Sequence, residues 1–599
     1  MKRAFINRIS QYWKEQANEI FWYSFPKKIL KFNKFKKVPS WYLKGKTNVC
    51  FNCLDLNILR GLEDKIAIHE INSKGEIENF SYKKLFIIVN YFSKFLKNNF
   101  RKKIKRVMIH SSASIESAVC MLSCSRLGIT HNVIFEDLEK EAIEKRIKLF
   151  NPDIFVSNTN LKRFNNIILP TLKKFKKIKL IYLKKQKNKK KGVKEVNLRK
   201  NTSKIFGDSK VFCNKIESSQ NLFVLFTSGS TGLPKGIVHS TGGYLTFAKY
   251  TCKNNFGMNI NSIVLTASDA GWINGHTYAL YGPLSFGATT ILLEKPSIIL
   301  NEKIFKKILL KLKPTVIYLP VTLIRILRSL KSKKILSRSV KSLGSMGEPL
   351  APEVAKWYSK NFNLTNKPII NTYFQTETGG IISSPKYNES VSRVKFGTVG
   401  RPSKIFGLKL ISNKSLKKKE VVISNPWPGC MSGVLNGKKI WNKYWDNENN
   451  FRLFDSGSYD KVGNLIVHGR TDDVINIRGH RIGSAEIESV LLENKNIIEA
   501  CAVATDDYLE GSILNIFIVT NVKKDIIESK VKKTLLSNFG SYAIPKKLYN
   551  LRELPKTKSG KILRRLLRDL ILNKKNLGDL STMTNRNKIG EIKEIIKKN

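Results

Sequence analysis

Acidic residues are scarce in this 599-residue chain. Only 46 Asp and Glu stand against 107 Lys and Arg, a formal net charge of +61. A basic surface of that size attracts nucleic acid or anionic membrane. The excess is spread along the chain, however, and lysine dominates it, alongside abundant Asn, Ile and Phe, residues with A/T-rich codons. It reads as coding bias, and no specific nucleic-acid partner is expected. Cysteine is scarce too: eight in so long a chain exclude a disulfide scaffold. Cys50 and Cys53 form a lone CxxC with no second pair, short of the roughly four ligands a zinc site needs. No apolar run reaches ~18 residues, which excludes a membrane-spanning helix. Met1-Lys-Arg-Ala-Phe gives way to Trp13, Glu15 and Glu19 without a signal-peptide apolar stretch, so a cytoplasmic protein is expected, with an organellar transit segment left open. No Ser-His-Asp arrangement is legible, so hydrolysis is a poor reading, and no internal repeat is seen.

What is present is a large apolar fraction, 42%, enough for an enzyme of two or more domains. The alternation begins with a helix near residues 82–98. It continues as a strand at 107–110, a helix at 114–127, a strand at 133–135, a helix at 139–150 and a strand at 153–156. This is the βαβ pattern of an α/β domain. Residues 172–200, with the densest lysine cluster at 184–191, read as an exposed loop. Strands are expected again at 262–267, 288–293 and 314–319, then a helix at 321–330 and a strand ending in a turn at 342–347. Short strands such as 420–423 follow. Beyond about residue 471 come a helix at 484–493, with Ser484 as a candidate N-cap, and a strand pair at 498–505 and 513–520. A basic segment at 556–568 and a polar helix close a small α+β domain.

The most informative stretch is Thr227-Ser-Gly-Ser-Thr-Gly-Leu-Pro-Lys-Gly236, fed by the apolar run 222–226. It is not a Walker A loop: position 234 is Pro and Lys235 is followed by Gly. It can still wrap a polyphosphate. Glycines let backbone N–H groups converge on phosphate oxygens, Thr227, Ser228, Ser230 and Thr231 add hydroxyl donors, and Lys235 adds a mobile charge.

This loop resembles the adenylation signature of the acyl- and aryl-CoA synthetase superfamily, which includes luciferases and peptide-synthetase adenylation domains. Four further segments fall in that family's order: Gly347-Glu-Pro349, Tyr373-Phe-Gln-Thr-Glu-Thr-Gly379, Asp455 with Gly469-Arg-Thr-Asp-Asp473, and Pro555-Lys-Thr-Lys-Ser-Gly-Lys561. Longer phrases are similar to the acetyl-CoA synthetase family. They are Val238-His-Ser-Thr-Gly-Gly-Tyr244, Gly271-Trp272 with Gly275-His276, Tyr281-Gly-Pro283, Gly479-His-Arg-Ile-Gly-Ser-Ala-Glu-Ile-Glu488 and Asn576-Leu-Gly-Asp-Leu-Ser-Thr582. The likeness runs over nearly the whole chain.

The resemblance implies an α/β fold. A large multi-subdomain N-terminal adenylate-forming domain (residues 1–471) holds ATP and the acyl substrate. A small mobile α+β C-terminal domain (472–599) carries the catalytic lysine and swings about a hinge near Asp472. It implies an AMP-forming ligase with ATP, CoA and Mg2+. Lys561, Lys235 and Thr227 are the expected catalytic residues, Lys561 offsetting charge beside the α-phosphate and the carboxylate. Gly347, Glu348 and Pro349 should pass along adenine, and Gln375 and Thr376 should line the same pocket. Asp455 should accept from ribose hydroxyls, and Arg470 and Arg481 should meet phosphate or ribose. Glu377 should bear on Mg2+, a hard ion that favours oxygen. Trp272 and His276 read as pocket walls, and His239 as packing near the loop.

The acyl pocket is Trp272, Ile273, Asn274, Met346 and Phe374. The last four depart from the family's valine-like, threonine, valine and tryptophan side chains. Phe374 opens room, Ile273 and Met346 refill it, and Asn274 makes the floor more polar. One methylene is worth only about 1–3 kcal/mol of discrimination, so volume leaves propionate open; the whole-chain likeness favours acetate. Around CoA, Glu136-Asp-Leu-Glu139 stands where the family has Gly-Gly-Phe-Ser, and Leu536 stands where it has an arginine. Lys162 and Arg163 lie near a basic family position and could compensate. Arg478 beside Gly479 replaces a small serine near the pantetheine tunnel. Weakened CoA affinity with retained adenylation is expected. Acetyltransferases and deacetylases acting on Lys561 are implied partners, and both a monomer and a homo-oligomer stay open. The other readings are a propionyl- or general short-chain acyl-CoA synthetase, and a degenerate non-catalytic or nucleic-acid-binding derivative.

Overall fold

The computed structural model describes the chain except residues 1–2, 33–38, 101–103, 185–191, 200–210, 228–233, 331–337, 413–418, 436, 472–473, 478–479, 508–510, 540–542, 558–559, 579, 581–582 and 599. Two compact units emerge. One is built from Met1–Tyr318, Phe374–Ile382 and Asn425–Asn450. The other is built from Leu319–Tyr373, Ser383–Ser424 and Phe451–Asn599.

The first unit contains an eight-stranded sheet. Its order is Val193–Glu195, Lys179–Tyr182, Ile154–Ser157, Arg106–His110, Thr130–Ile134, Asn221–Thr227, Lys235–Ser240 and Gly433–Val434. The first six run parallel and the last two pair antiparallel. The central strands read as unbroken apolar runs because both faces are covered: Leu222 through Phe226 are all buried. The region 172–200, read as a loop, supplies the edge strand Val193–Glu195 and its neighbour Lys179–Tyr182; its lysine-rich centre, 185–191, lies outside the described residues.

Helix Ile115–Leu127 packs within this layer and is buried along almost its whole length. A reciprocal capping box, Ser114 with Ser117, satisfies its first donors, and Gly128 closes it in the left-handed conformation. A second set of strands places Ile263–Thr266 parallel to both Thr289–Leu293 and residues 316–318. Ile66–Ile71 lies beside Thr289–Leu293 and pairs antiparallel with Ile77–Ser81.

Before residue 82, aromatic packing supplies much of the order. Trp13, on helix Arg3–Ala17, is fully buried 5.0 Å from the Tyr250 ring and 6.2 Å from Trp41. Elsewhere in this unit the guanidinium of Arg126 takes both oxygens of Asp55, at 3.2 and 2.5 Å, with both side chains out of solvent.

The second unit holds an antiparallel sheet in the order Leu408–Ser412, Lys419–Ile423, Phe451–Tyr459 and Leu465–Arg470. It also contains a parallel pair, Ser342–Met346 with Ile370–Asn371, and a hairpin, Val474–Ile477 with His480–Gly483. Toward the C-terminus, Ile497–Asp507 and Gly511–Thr520 pair antiparallel and Lys547–Asn550 adds in parallel. Ser484, read as an N-cap, is instead the first residue of helix Ser484–Leu491, since the strand before it runs to Gly483. Helix Arg564–Ile571 turns Leu566, Leu567 and Leu570 into a core with Phe517, Tyr549 and Ile562. Each such leucine contributes about 1.5–3 kcal/mol by burial. Among the described residues no helix is long and apolar enough to cross a membrane.

Candidate active site

The glycine- and hydroxyl-rich stretch lies between two paired antiparallel strands. Strand Asn221–Thr227 rises from the sheet, and the chain returns as strand Lys235–Ser240 with Thr227 and Lys235 as register partners. The return strand was not legible in the sequence. Residues 228–233, with Ser228, Ser230 and Thr231, lie outside the described residues. At the mouth of the hairpin, Thr227 Oγ1 is buried and has no hydrogen-bond partner among the described residues. A buried hydroxyl left in that state costs free energy unless a ligand or water completes it.

Lys235 places its ammonium 5.7 Å from the ring centre of Tyr444. The hydroxyl of Tyr444 in turn donates to Glu377 Oε1 at 2.6 Å. Cation, aromatic ring and carboxylate therefore form one line, though Tyr444 lies in no motif that sequence reasoning singled out. The segment Thr376–Thr378 is held by its carbonyls. His239 Nε2–H donates to Thr376 O at 2.8 Å, Met431 N–H to Glu377 O at 2.9 Å and Trp427 Nε1–H to Thr378 O at 3.0 Å. His239 thus does more than pack: it ties the hairpin's return strand to the predicted nucleotide segment. Burial pushes its pKa down to about 4, against the pull of the Thr376 carbonyl.

Trp272, Ile273 and Asn274 come together where helix Ile273–His276 begins, with Ile273 and Asn274 buried and the Trp272 ring 5.0 Å from Phe135. Phe374 lies 6.4 Å from the Tyr278 ring. His276 is wholly buried, its ring parallel to His131 at 5.7 Å and 4.5 Å from Phe223. Burial drives its pKa to about 3. Asp269, just before this group, is held up to about 7 by burial; the Gly271 N–H, donating at 2.8 Å, opposes this and the Glu136 carboxylate adds to it.

The acidic segment 136–139 is not left to repel anions unaided. Arg163 donates Nε–H to Glu136 O at 2.7 Å, another N–H to Leu138 O, and pairs with Glu139 Oε1 at 3.3 Å. Thr159 Oγ1 donates to Glu136 Oε1 at 3.0 Å. Arg163, read as able to compensate around CoA, is engaged with this segment; Lys162 beside it is exposed. Leu536 is 48% exposed. Cys50 lies with Asp55 and Cys213 in a group whose ligand atoms fall within 4.8 Å of one another. Arg126 already occupies both Asp55 oxygens, and Cys53 turns its thiol to Tyr281 O at 3.4 Å, so the CxxC does not close on one centre.

In the second unit, Asp455 is buried on strand Phe451–Tyr459 and accepts from the Tyr373 hydroxyl at 2.6 Å. Its register partner on the next strand is Arg470, so two predicted nucleotide contacts face each other across one ladder. Phe454, immediately before it, has φ of 55°, a strained conformation for an aromatic residue of the kind found at functional sites. Arg481 pairs with Asn476 in the following hairpin; Gly479 and Arg478 lie outside the described residues. Met346 ends its strand, buried, and the chain turns at Gly347, where φ is +91°. Glu348 then pairs with the buried Arg325, a residue sequence reasoning did not single out.

Lys561 is exposed. Its N–H donates to Thr557 Oγ1 at 3.1 Å, and its carbonyl accepts from Thr557 N–H at 2.8 Å.

Comparison with known proteins gives three family matches: the AMP-binding enzyme family over residues 58–433, the AMP-binding enzyme C-terminal domain over 486–561, and the acetyl-coenzyme A synthetase N-terminus over 1–53. An acetyl-coenzyme A synthetase of Leptospira biflexa is 33% identical, covering 96% of this chain and 92% of its own. Acetyl-coenzyme A synthetase 1 of Candida glabrata is 31% identical over 93% of this chain and 83% of its own. The Drosophila melanogaster acetyl-coenzyme A synthetase is 30% identical over 96% and 92%. Among solved structures, acetoacetyl-CoA synthetase from Streptomyces lividans shares the fold with a TM-score of 0.84 at 16% identity, over 99% of this chain and 93% of that one. An anthranilate CoA ligase solved with anthranoyl-AMP does so at 0.74 and 17%, over 88% and 97%.

Proposed function

Because this chain belongs to the acetyl-coenzyme A synthetases among the AMP-binding enzymes, we propose that it joins acetate to CoA at the expense of ATP. An acetate oxygen attacks the α-phosphorus and pyrophosphate leaves with the broken bond's electrons. The CoA sulfur then attacks the acetyl carbonyl, loses its proton, and AMP departs as acetyl-CoA forms.

The observation that best supports this reading is the line from Lys235 through Tyr444 to Glu377 beside the hairpin mouth. Two anions, carboxylate and triphosphate, must approach each other, and fixed positive charge and hydrogen-bond donors lower that barrier. Lys235 and the Thr227 hydroxyl, which has no partner among the described residues, are suited to phosphate oxygens. Glu377 offers a hard oxygen to Mg2+, which is commonly held by one or two carboxylates plus substrate phosphates; when bound, that ion would neutralise phosphate charge. Asp455, fixed by Tyr373, is suited to ribose hydroxyls, and Arg470 and Arg481 to phosphate or ribose. Gly347, Pro349, Gln375 and Thr376 border adenine in this reading, and Trp272, Ile273, Asn274, Met346 and Phe374 enclose the acyl group. We assign the larger catalytic part to residues 1–471 and the Lys561-bearing part to 472–599, with Lys561 used for adenylation. Lysine acetylation at that position and a cytoplasmic location belong to the same proposal.

Acetate-dependent exchange of labelled pyrophosphate into ATP is the test, with propionate in parallel. Exchange with acetate, exceeding that with propionate, and AMP release on adding CoA are expected. Absence of exchange with either acid would overturn the reading.

A further inference from the structure

Helix Val321–Ser329 carries a stripe of polar residues at positions 322, 325 and 328, spaced to share one side of a helix. Each is engaged beyond its own helix. Thr322, 6% exposed, donates its hydroxyl to Gly560 O at 3.0 Å. Arg325, 7% exposed, pairs with Glu348. Arg328 donates to Leu492 O at 3.4 Å. The contact at Gly560 is close by design of the backbone: φ there is +83°, and a Cβ would lie 2.6 Å from Thr322 Oγ1. Only glycine meets both demands.

The sequence around that contact is pinned on both sides. Lys556 is buried in an ion pair with Glu499, and Arg564 pairs with Glu488. Between these anchors Gly560 N–H donates to Thr557 O at 2.8 Å, and Lys561 keeps an exposed side chain. The buried Thr322 hydroxyl therefore reaches the chain one peptide before the lysine.

We propose that Thr322 is a positioning residue for Lys561, its hydroxyl latching the Gly560 carbonyl so that the lysine is presented in the orientation used for adenylation. This rests on the reading that Lys561 serves the first half-reaction. The latch acts on geometry and not on substrate affinity, so it affects turnover and leaves binding alone.

The test compares Thr322→Val, which keeps the shape and removes the donor, with Thr322→Ser, which keeps the donor. The full-length protein is assayed for acetate-dependent pyrophosphate exchange and, separately, for thioester formation from supplied acetyl-adenylate and CoA. For Thr322→Val, the exchange kcat should fall about tenfold, about 1.4 kcal/mol on the barrier. KM for ATP and acetate should stay within twofold, and thioester formation should be unchanged. Thr322→Ser should restore exchange. Undiminished exchange in Thr322→Val, equal losses in both half-reactions together with a lowered Tm, or a serine variant as poor as valine would each overturn the latch. Wild-type protein without any exchange would instead overturn the functional reading beneath it.

Discussion

Replacing Tyr373 by Phe removes one oxygen, the donor to Asp455 at 2.6 Å. The ring stays, so the apolar packing of a side chain only 8% exposed is preserved. What is lost is a short hydrogen bond to a carboxylate, a class worth about 1.5–3 kcal/mol net. Asp455 is itself 7% exposed, so water replaces the donor poorly and the loss should fall near the middle of that range, about 2 kcal/mol. Part of it appears as stability and part as a carboxylate that no longer faces the ribose in one orientation. We expect KM for ATP to rise about tenfold, the equivalent of about 1.4 kcal/mol, with kcat changed less than about threefold. A cycle with deoxyribose analogues of ATP isolates the coupling. In wild type the missing hydroxyl should be penalised, and in Tyr373→Phe that penalty should shrink. An unchanged KM together with an unchanged analogue penalty would show that the Tyr373–Asp455 pair has no part in holding nucleotide.

Other consequences are as direct. Lys235→Ala and Glu377→Gln should each lower acetate-dependent pyrophosphate exchange by about 100-fold or more, as expected for charge aimed at the reacting phosphates; kinetics at saturating ATP and Mg2+ measure it. Arg163→Ala should uncover Glu139 and raise KM for CoA, while adding Glu139→Gln should recover part of the loss, and steady-state assays of both variants decide it. Asp55→Ala should destabilise the protein by about 3–5 kcal/mol by stranding the buried Arg126, visible as a lower denaturation midpoint. Stability should also fall with acid. His239 and His276 are buried with pKa values depressed to about 4 and about 3, so between there and their unfolded value near 6.5 the unfolded chain holds protons that the folded chain refuses. Their contribution is complete above about pH 6.5 and is lost as pH falls toward 4, about 3 kcal/mol for His239. Thermal unfolding from pH 7 to 4.5 should show the decline, and His239→Gln should make it shallower, leaving the part due to His276.

Some of this protein was already settled in its linear order. Strands covered on both faces must be apolar at successive positions, so 222–226 and the strands around 107, 154, 264 and 290 could be placed without coordinates. The helix read over 114–127 starts within one residue of where the structure places it. The signature segments carried glycines, hydroxyls, Lys235, Glu377 and Lys561 in an order whose chemistry is recognisable. The edge strand Val193–Glu195 and its neighbour Lys179–Tyr182 were lost in lysine-rich sequence, because both are short and their apolar pattern is masked by flanking charge. The return strand Lys235–Ser240 was hidden because its pairing, and not its composition, makes it a strand.

Which side chains meet was decided by tertiary structure alone. Tyr444 joins Lys235 and Glu377 from elsewhere in the chain. Tyr373 finds Asp455 82 residues on, Arg163 turns back on Glu136 and Glu139, and Thr322 reaches Gly560 across 238 residues. Local sequence governs backbone preference and burial through interactions between near neighbours. A hydrogen bond or ion pair between distant residues exists only once the sheets and helices have fixed both partners to within a few tenths of an ångström, and no run of neighbouring residues encodes that distance.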